Sequence, residues 1–150
     1  MADGAVIIGL DVGTTHAKAA AHGADLRRWA WASRELPLRV SEPGRVEQDP
    51  QVWRDTALGV LAEVGAQVAA RGGHVAGVCL GTAMHGLIGL DARGEAVTPL
   101  VTWADQRAVE QALRLRAEAS SAALARRTGA PLHAMTPLAK LIWFREQEPA

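Results

Sequence analysis

The sequence predicts an α/β protein with a mixed sheet, in which three early antiparallel strands precede a β-α-β crossover. Three short runs of apolar or small residues follow one another with only tight turns between them, at 5–10, 17–21 and 26–36. A long helical pattern then leads into another apolar run at 75–80. A strand that follows a helix of this length indicates a parallel partner elsewhere in the sheet.

Composition limits the classes of partner. The 150 residues include 16 Lys or Arg and 16 Asp or Glu, so the formal net charge is zero. We therefore expect neither nucleic acid nor an anionic membrane surface as a partner. The N-terminal segment has no basic region and no long apolar run, so we expect no signal peptide and no membrane span. The single cysteine, Cys79, fits a reducing cytoplasmic location.

The first strand is an apolar run that we expect to be buried on both faces, and it leads into a polar turn. This turn region contains Asp11, Gly13, Thr14, Thr15 and Lys18. Glycine lets the backbone approach a ligand and can adopt positive φ, while turn amides and hydroxyls donate to phosphate oxygens. A carboxylate can hold Mg²⁺ through water, and lysine adds positive charge. The alternative is a plain hairpin with ordinary turn chemistry.

Two tryptophans and one long helix follow this turn. Trp29 and Trp31 are two residues apart, so we expect them on one face of the third strand, packed against the sheet rather than stacked on a ligand. Asp49 and Pro50 suit the N-cap and first position of a helix. Gly72 and the glycine after it end the predicted helix.

The loop after the strand at 75–80 is a candidate ligand site, because open α/β sheets bind ligands at the carboxyl ends of their strands. Met84 and His85 lie in this loop, and a further strand is predicted at 86–91. The imidazole of His85 can exchange hydrogen bonds with a substrate hydroxyl. A lone histidine after a strand is otherwise usually a satisfied polar residue.

A third candidate group is formed by Trp103, Asp105 and Arg107. Asp105 suits the N-cap of a helix predicted at 106–117. The functional alternative places Asp105 and Arg107 against substrate hydroxyls or a carboxylate, which an arginine can hold with two parallel bonds. Trp103 would then give the substrate an apolar wall.

The C-terminal part predicts two more helices. One covers 120–128 and ends at a glycine, and the other begins after Thr136 and Pro137. Leu138, Leu141 and Ile142 would form the apolar face of the second helix. We expect His133 to serve packing rather than catalysis.

Four stretches together resemble one family. The strings IGLDVGTTHAK, GTAMHGL, TWADQR and RTGAPLHAMTPLAK are similar to segments of the FGGY carbohydrate kinases, in the sugar kinase/Hsp70/actin superfamily. The last two are most like gluconokinases. The resemblance implies a ribonuclease H-like (actin-like ATPase) fold, with 1–150 as a truncated N-terminal part of the first kinase domain. The second, adenosine-binding domain would be absent from these residues.

The resemblance also implies an activity and a set of roles. ATP and Mg²⁺ would be the cofactors, with a small sugar or sugar acid as substrate, D-gluconate being converted to 6-phosphogluconate. Xylulose or a related ketose is the alternative substrate, and a module without turnover is the alternative class. The oligomeric state is not determined by the resemblance, and a homodimer is one option. The general-base aspartate of the family lies further downstream, so we expect these 150 residues alone to be inactive. The implied residue roles are metal binding by Asp11, phosphate binding by Gly13, Thr14, Thr15 and Lys18, and substrate binding by Met84, His85, Trp103, Asp105 and Arg107.

Overall fold

The computed structural model describes residues 4–118 and 120–148, which divide into two units. The first unit contains Met1–Pro37 and Pro50–Ala83, and the second contains Leu38–Asp49 and Met84–Ala150. The first three residues of the segment in which we expected no signal peptide lie outside the described part of the chain. The elements in chain order are β1 (Ala5–Val12), β2 (His16–His22), β3 (Arg28–Glu35), β4 (Arg39–Val40), β5 (Val46–Gln48), α1 (Pro50–Ala70), β6 (His74–Thr82), β7 (Leu100–Val101), α2 (Val109–Ala117), α3 (Ser121–Thr128) and α4 (Pro137–Gln147).

The first unit contains a four-stranded sheet in the order β3-β2-β1-β6. Strand β1 is antiparallel to β2, and β2 is antiparallel to β3. Strand β6 returns through α1 and pairs with β1 in parallel. The predicted meander and the β-α-β crossover are therefore both confirmed.

Helix α1 covers one face of this sheet. Its Val60, Val64 and Val68 are buried against the alternate β1 residues Val6 and Ile8. The expectation that β1 is buried on both faces was wrong, because the residues between these point to an exposed face. The β6 residues are mostly exposed on both faces, since α1 packs mainly against β2 and β3.

A β-bulge separates the two tryptophans of β3. In the β2–β3 pairing Ala21 lies opposite Ala30, whereas His22 lies opposite Arg28, so Trp29 is the extra residue. Trp29 packs against the buried cluster, while Trp31 is exposed. The expectation that both indoles share one face was therefore wrong, because the strict two-residue alternation fails at the bulge.

The second unit contains a small sheet in the order β4-β5-β7 and the helices α2, α3 and α4. The strand expected at 86–91 does not form and is replaced by two isolated bridges, Leu87 with Val101 and Leu90 with Ala96. A glycine explains part of this difference. The Gly89 amide donates to the Thr98 hydroxyl at 2.7 Å instead of entering a regular ladder.

Two helices of this unit differ from the prediction. Helix α2 begins at Val109, with Ala108 at its N-cap, so Asp105 is not the cap. Helix α3 ends as predicted at a glycine with φ of 66°. Helix α4 begins after Thr136 as predicted but buries Ala139, Lys140 and Trp143 rather than its leucines. No helix in the described residues is long and apolar enough to cross a membrane.

Candidate active site

The polar turn of the first unit is a short connection between β1 and β2, fixed by its backbone. The Gly13 amide donates to the His16 carbonyl at 3.0 Å. The Leu36 amide donates to the Thr15 carbonyl at 2.8 Å, and the Ala83 amide donates to the carbonyl of Val12 at 3.0 Å. The chain segments that follow β3 and β6 therefore hold the two ends of the turn in place.

Gly13 is required by close approach rather than by its backbone angle. A Cβ atom at this position would lie 3.3 Å from the His16 carbonyl oxygen, which is tighter than an ordinary contact. Gly13 is not among the glycines with positive φ, so the expectation of that conformation is not needed to explain the residue. A side chain here would push against a carbonyl that closes the turn.

Asp11 and Lys18 lie opposite each other across β1 and β2. Both are exposed on the face of the sheet that α1 does not cover, and both line one groove on that face. Thr14 and Thr15 follow at the turn itself. The structure therefore places Asp11 and Lys18 side by side on one exposed face, next to the turn that contains the other residues predicted to bind phosphate.

In the second unit, the loop after β6 presents two of the candidate substrate residues. Met84 is 71% exposed, and His85 is half-buried. His85 has φ of 67°, in the left-handed region that residues other than glycine seldom adopt. Trp103 lies just after β7 and is 49% exposed. These three side chains have surface that a ligand can reach.

Asp105 and Arg107 differ from these residues because they form a buried ion-pair network. Arg107 Nε donates to Asp105 Oδ1 at 2.9 Å and Nη2 donates to Asp105 Oδ2 at 2.8 Å, which makes a bidentate pair. The same Nη2 also donates to Glu47. The Asp105 side chain is 0% exposed and that of Arg107 is 4% exposed.

Backbone groups complete this network. The amides of Val46 and Arg107 donate to the Asp105 carboxylate at 2.8 and 3.0 Å. Burial alone would raise the pKa of Asp105, but the hydrogen bonds from Arg107 and from these amides outweigh it and lower the pKa. Burial likewise opposes the charge of Arg107, and the two carboxylates raise its pKa. The guanidinium also lies 5.1 Å from the ring centroid of Trp143.

The substrate-facing role expected for Asp105 and Arg107 therefore does not match their surroundings. Their polar atoms are already bonded within the second unit, and a ligand carboxylate would have to displace Asp105 or Glu47 from the guanidinium. Both roles stay predictions that this geometry does not favour. The network instead bonds the backbone at Val46 and at Arg107, four residues after Trp103.

Lys140 is a candidate functional residue to which the sequence analysis assigned no role. Its side chain is 0% exposed, and its Nζ donates to the carbonyls of His85, Thr102 and Met135 at 2.7, 2.7 and 2.9 Å. Burial lowers the pKa of Lys140 to about 8, with attraction by Asp105 and repulsion by Arg107 as smaller effects. A signal was present in the sequence, since Lys140 is three residues before Trp143 and so shares its helical face.

Comparison with known proteins identifies the family. The sequence profile of the FGGY family of carbohydrate kinases, N-terminal domain, matches residues 6–150. The chain belongs to the FGGY family of carbohydrate kinases. It is 39% identical to a xylulose kinase of Streptomyces coelicolor over 149 residues, which cover 99% of this chain and 30% of that protein. It is 28% identical to a gluconokinase of Bacillus subtilis over 141 residues, covering 94% of this chain and 27% of that protein.

A solved FGGY kinase supports the same assignment at the level of structure. The crystal structure of a xylulose kinase from Rhodospirillum rubrum matches with a TM-score of 0.90 and 34% identity, over 96% of this chain and 30% of that chain. The predicted actin-like ATPase fold is thereby confirmed. The chain spans less than a third of the length of these FGGY relatives.

The FGGY assignment gives a test of whether the described residues fit a metal and nucleotide phosphates. Among the residues that the structure describes, no group of three or more His, Cys, Asp or Glu side chains is arranged so that it could hold a metal ion. A single exposed carboxylate, Asp11, beside a glycine turn fits Mg²⁺ that keeps waters and phosphate oxygens as its other ligands. The residues therefore fit Mg²⁺ bound together with phosphate, rather than a metal held by protein groups alone.

Proposed function

We propose that the protein containing this chain transfers a phosphoryl group from ATP to a sugar or sugar acid, with D-gluconate as the first candidate. One observation carries the choice of gluconate. The two stretches that resemble gluconokinases, 102–107 and 127–140, meet where Lys140 Nζ donates to the Thr102 carbonyl at 2.7 Å. Both segments resemble gluconokinases, and a direct hydrogen bond joins them. We therefore expect them to shape the same substrate site.

The first unit would hold the phosphates. Gly13 has no side chain to keep a phosphate away from the turn, and the hydroxyls of Thr14 and Thr15 can donate to phosphate oxygens. Lys18 adds a positive charge on the same face as Asp11. The carboxylate of Asp11 would orient Mg²⁺, and the metal would supply neutralisation of the charge on the transferred phosphoryl group.

The second unit would hold the sugar. Met84 and Trp103 would form apolar walls against the carbon chain, and the His85 imidazole would exchange hydrogen bonds with hydroxyls. Asp105 and Arg107 would act through the backbone that they fix beside Trp103. A direct contact of Arg107 with a substrate carboxylate stays a prediction, because it requires its present ion pairs to open.

Asp105 is not suited to serve as the general base. The buried Asp105 carboxylate is engaged by Arg107 and two amides, so it has no free geometry for taking a proton from a substrate hydroxyl. The family resemblance implies an aspartate further along the kinase sequence. That the 150 residues alone are inactive stays a prediction.

Xylulose is the second candidate, and one observation favours it. The identity with the Streptomyces coelicolor xylulose kinase is 39%, against 28% with the Bacillus subtilis gluconokinase. A ketose also needs no cationic partner, which agrees with the internal pairing of Arg107. The choice between the two substrates therefore depends on direct measurement.

The test is a substrate panel with the purified protein that contains this chain. ADP release is followed with Mg-ATP and gluconate, xylulose or glycerol in turn, and kcat/KM is compared. A gluconate value at least tenfold above the others supports the first proposal, and the reverse order with xylulose replaces the substrate while keeping the kinase. Phosphorylation of none of a broader set of sugars and sugar acids would contradict the proposed function.

A further inference from the structure

Lys140 joins three separate segments of the second unit through backbone atoms alone. Its ammonium group has three N–H donors, and each bonds one carbonyl, at His85, Thr102 and Met135. In sequence these carbonyls lie 55, 38 and 5 residues before Lys140. Three bonds from one buried group fix the mutual positions of these segments more strictly than one bond would.

Two of the three segments carry the surface groups proposed to meet the sugar. His85 is itself in the loop after β6, has φ of 67°, and accepts the bond from the ammonium through its carbonyl. Thr102 directly precedes Trp103, and its hydroxyl and amide both bond the Val46 carbonyl. The ammonium therefore bonds the backbone of the half-buried His85 and the carbonyl of the residue directly before the exposed Trp103.

A pair of backbone bonds already links the same segments. The Leu87 amide donates to the Val101 carbonyl at 3.0 Å, and the Val101 amide donates back to Leu87 at 2.9 Å. This bridge is isolated and is not continued by a regular ladder. Lys140 extends the link to His85, two residues before Leu87, and to Thr102, one residue after Val101.

The residue type at this position fits the role. The chain has 14 arginines and two lysines, Lys18 and Lys140. A compact ammonium can point three donors at three carbonyls, whereas the flat and larger guanidinium cannot do so in a fully buried space. Among the described residues Lys140 forms no ion pair within bonding distance, so the three carbonyl bonds offset much of the cost of burying its charge.

We propose that Lys140 is a positioning residue, which ties the His85 loop to the Thr102–Trp103 segment and so sets the spacing of the sugar-facing side chains. The link that Lys140 makes between these two segments does not depend on the proposed kinase function. Its consequence for sugar binding rests on that function. A general contribution of Lys140 to the start of α4 is the competing explanation. The two explanations predict different local effects.

The primary test is hydrogen–deuterium exchange in Lys140→Met, resolved at single amides. We expect exchange of the Leu87 and Val101 amides to rise at least tenfold, with no comparable change at the α1 amides. Thr136→Val is the matched control, because its hydroxyl bonds the His133 carbonyl at the start of the same helix. Equal exchange in both variants, or a uniform rise over the whole chain, would overturn the proposal.

A chemical rescue separates the charge from the shape of the side chain. Lys140→Cys is prepared in a Cys79→Ser background, aminoethylated in denaturant to restore an ammonium group, and refolded. The proposal expects the aminoethylated protein to recover the exchange pattern of the parent Cys79→Ser protein, and the unmodified cysteine variant not to recover it. Recovery without the ammonium would contradict it.

A measurement on the wild type covers the case in which the variants do not fold. With ¹⁵N-labelled lysine, one side-chain signal should be protected from water and show couplings to the carbonyl carbons of His85 and Thr102. The absence of such a signal in the folded protein would overturn the tie.

Kinetics then test the consequence. In Lys140→Met the KM for the phosphorylated sugar, gluconate or xylulose, should rise at least tenfold, while the KM for ATP changes less than twofold. Equal changes in both KM values would overturn the positioning role. If the wild type phosphorylates no sugar, the proposed function fails. Hydrogen–deuterium exchange then still tests whether Lys140 links the two segments.

Discussion

The two units use polar residues of the family motifs in opposite ways. In the first unit, Asp11 and Lys18 are exposed, and the backbone of the turn is held by bonds from neighbouring segments. In the second unit, Asp105, Arg107 and Lys140 are buried and bond one another or the backbone. A polar residue of a family motif can therefore be exposed, as a ligand contact would be, or buried and bonded within the protein, as a supporting group is. The burial and the hydrogen-bonding partners of a residue distinguish these two cases, whereas the sequence pattern does not.

The largest expected effect is at the exposed carboxylate of the first unit. Asp11→Asn should lower kcat at least about 100-fold, because an amide binds the metal more weakly and a metal contributes several kcal/mol to such a transition state. The free energy of unfolding should change little, since the side chain is exposed. Steady-state kinetics at saturating Mg²⁺ and urea unfolding provide the two measurements.

Asp25→Asn is the control for this substitution. Asp25 is also an exposed aspartate of the first unit, and its carboxylate bonds the Arg27 amide in another turn. Its substitution should leave kcat unchanged. Near-normal turnover of Asp11→Asn would mean that Asp11 is only a turn residue and that the comparison of exposed with buried polar groups does not predict function.

The second prediction concerns the buried ion-pair network. Arg107→Ala should lower the free energy of unfolding by about 3–5 kcal/mol, because Asp105 and Glu47 would remain buried without their counterion. Arg114→Ala, which breaks an exposed pair with Glu146, should cost far less. Urea unfolding of both variants measures the contrast. Similar losses would contradict the structural role assigned to burial.

Substrate selectivity sharpens the same prediction. Arg107→Lys keeps the charge but loses the bidentate geometry, and it is the milder variant for kinetics. A supporting role predicts that the KM values for gluconate and xylulose rise by the same factor. A rise confined to gluconate would restore the direct carboxylate contact that the sequence suggests.

The sequence was sufficient for the topology of the first unit because apolar runs, turns and a long helix are local signals. The sequence was insufficient where contacts with distant residues determine which side chains are buried. The leucines of α4 suggest one apolar face, yet the helix buries the face with Ala139, Lys140 and Trp143, because the three carbonyl groups accept the ammonium there. Similarly, Trp29 turns to the core at a bulge that a two-residue alternation cannot reveal. The resemblance identified the correct family. It could not distinguish residues that would contact the substrate from buried residues that support the backbone.

The third prediction uses the titration of Lys140. Its pKa of about 8 in the folded protein is below the ordinary value of 10.5, so the unfolded chain binds more protons between these values. The free energy of unfolding should therefore rise as pH increases from about 8 to 10.5, by up to about 3 kcal/mol. The chain has no tyrosine and one cysteine, so few other groups titrate in this range.

Lys140→Met is the control for this rise, because it removes the titrating group. The charged groups that act on Lys140 are Asp105 and Arg107, and neither changes its charge between these pH values. Urea unfolding at several pH values should give a flatter profile for the variant than for the wild type. Parallel profiles would contradict the lowered pKa of Lys140 in the folded protein.

The smallest expected effect compares two residues with positive φ, one in each unit. Leu26 has φ of 62° in an exposed turn, and His85 has φ of 67° in the loop that Lys140 holds. The left-handed conformation costs a side-chain-bearing residue about 1–2 kcal/mol, and glycine removes this cost but adds freedom to the unfolded chain. Leu26→Gly should therefore raise the free energy of unfolding by about 0.5 kcal/mol, with unchanged kinetics.

His85→Gly relieves the same backbone cost but removes a proposed substrate group. Its unfolding free energy should change by less than about 1 kcal/mol, because part of the side chain is exposed. The KM for the sugar should rise about tenfold, since a lost hydrogen bond to a substrate hydroxyl costs roughly 1–1.5 kcal/mol. An unchanged KM would mean that the backbone of His85, held by Lys140, is the part that matters, and that its imidazole belongs with the supporting groups.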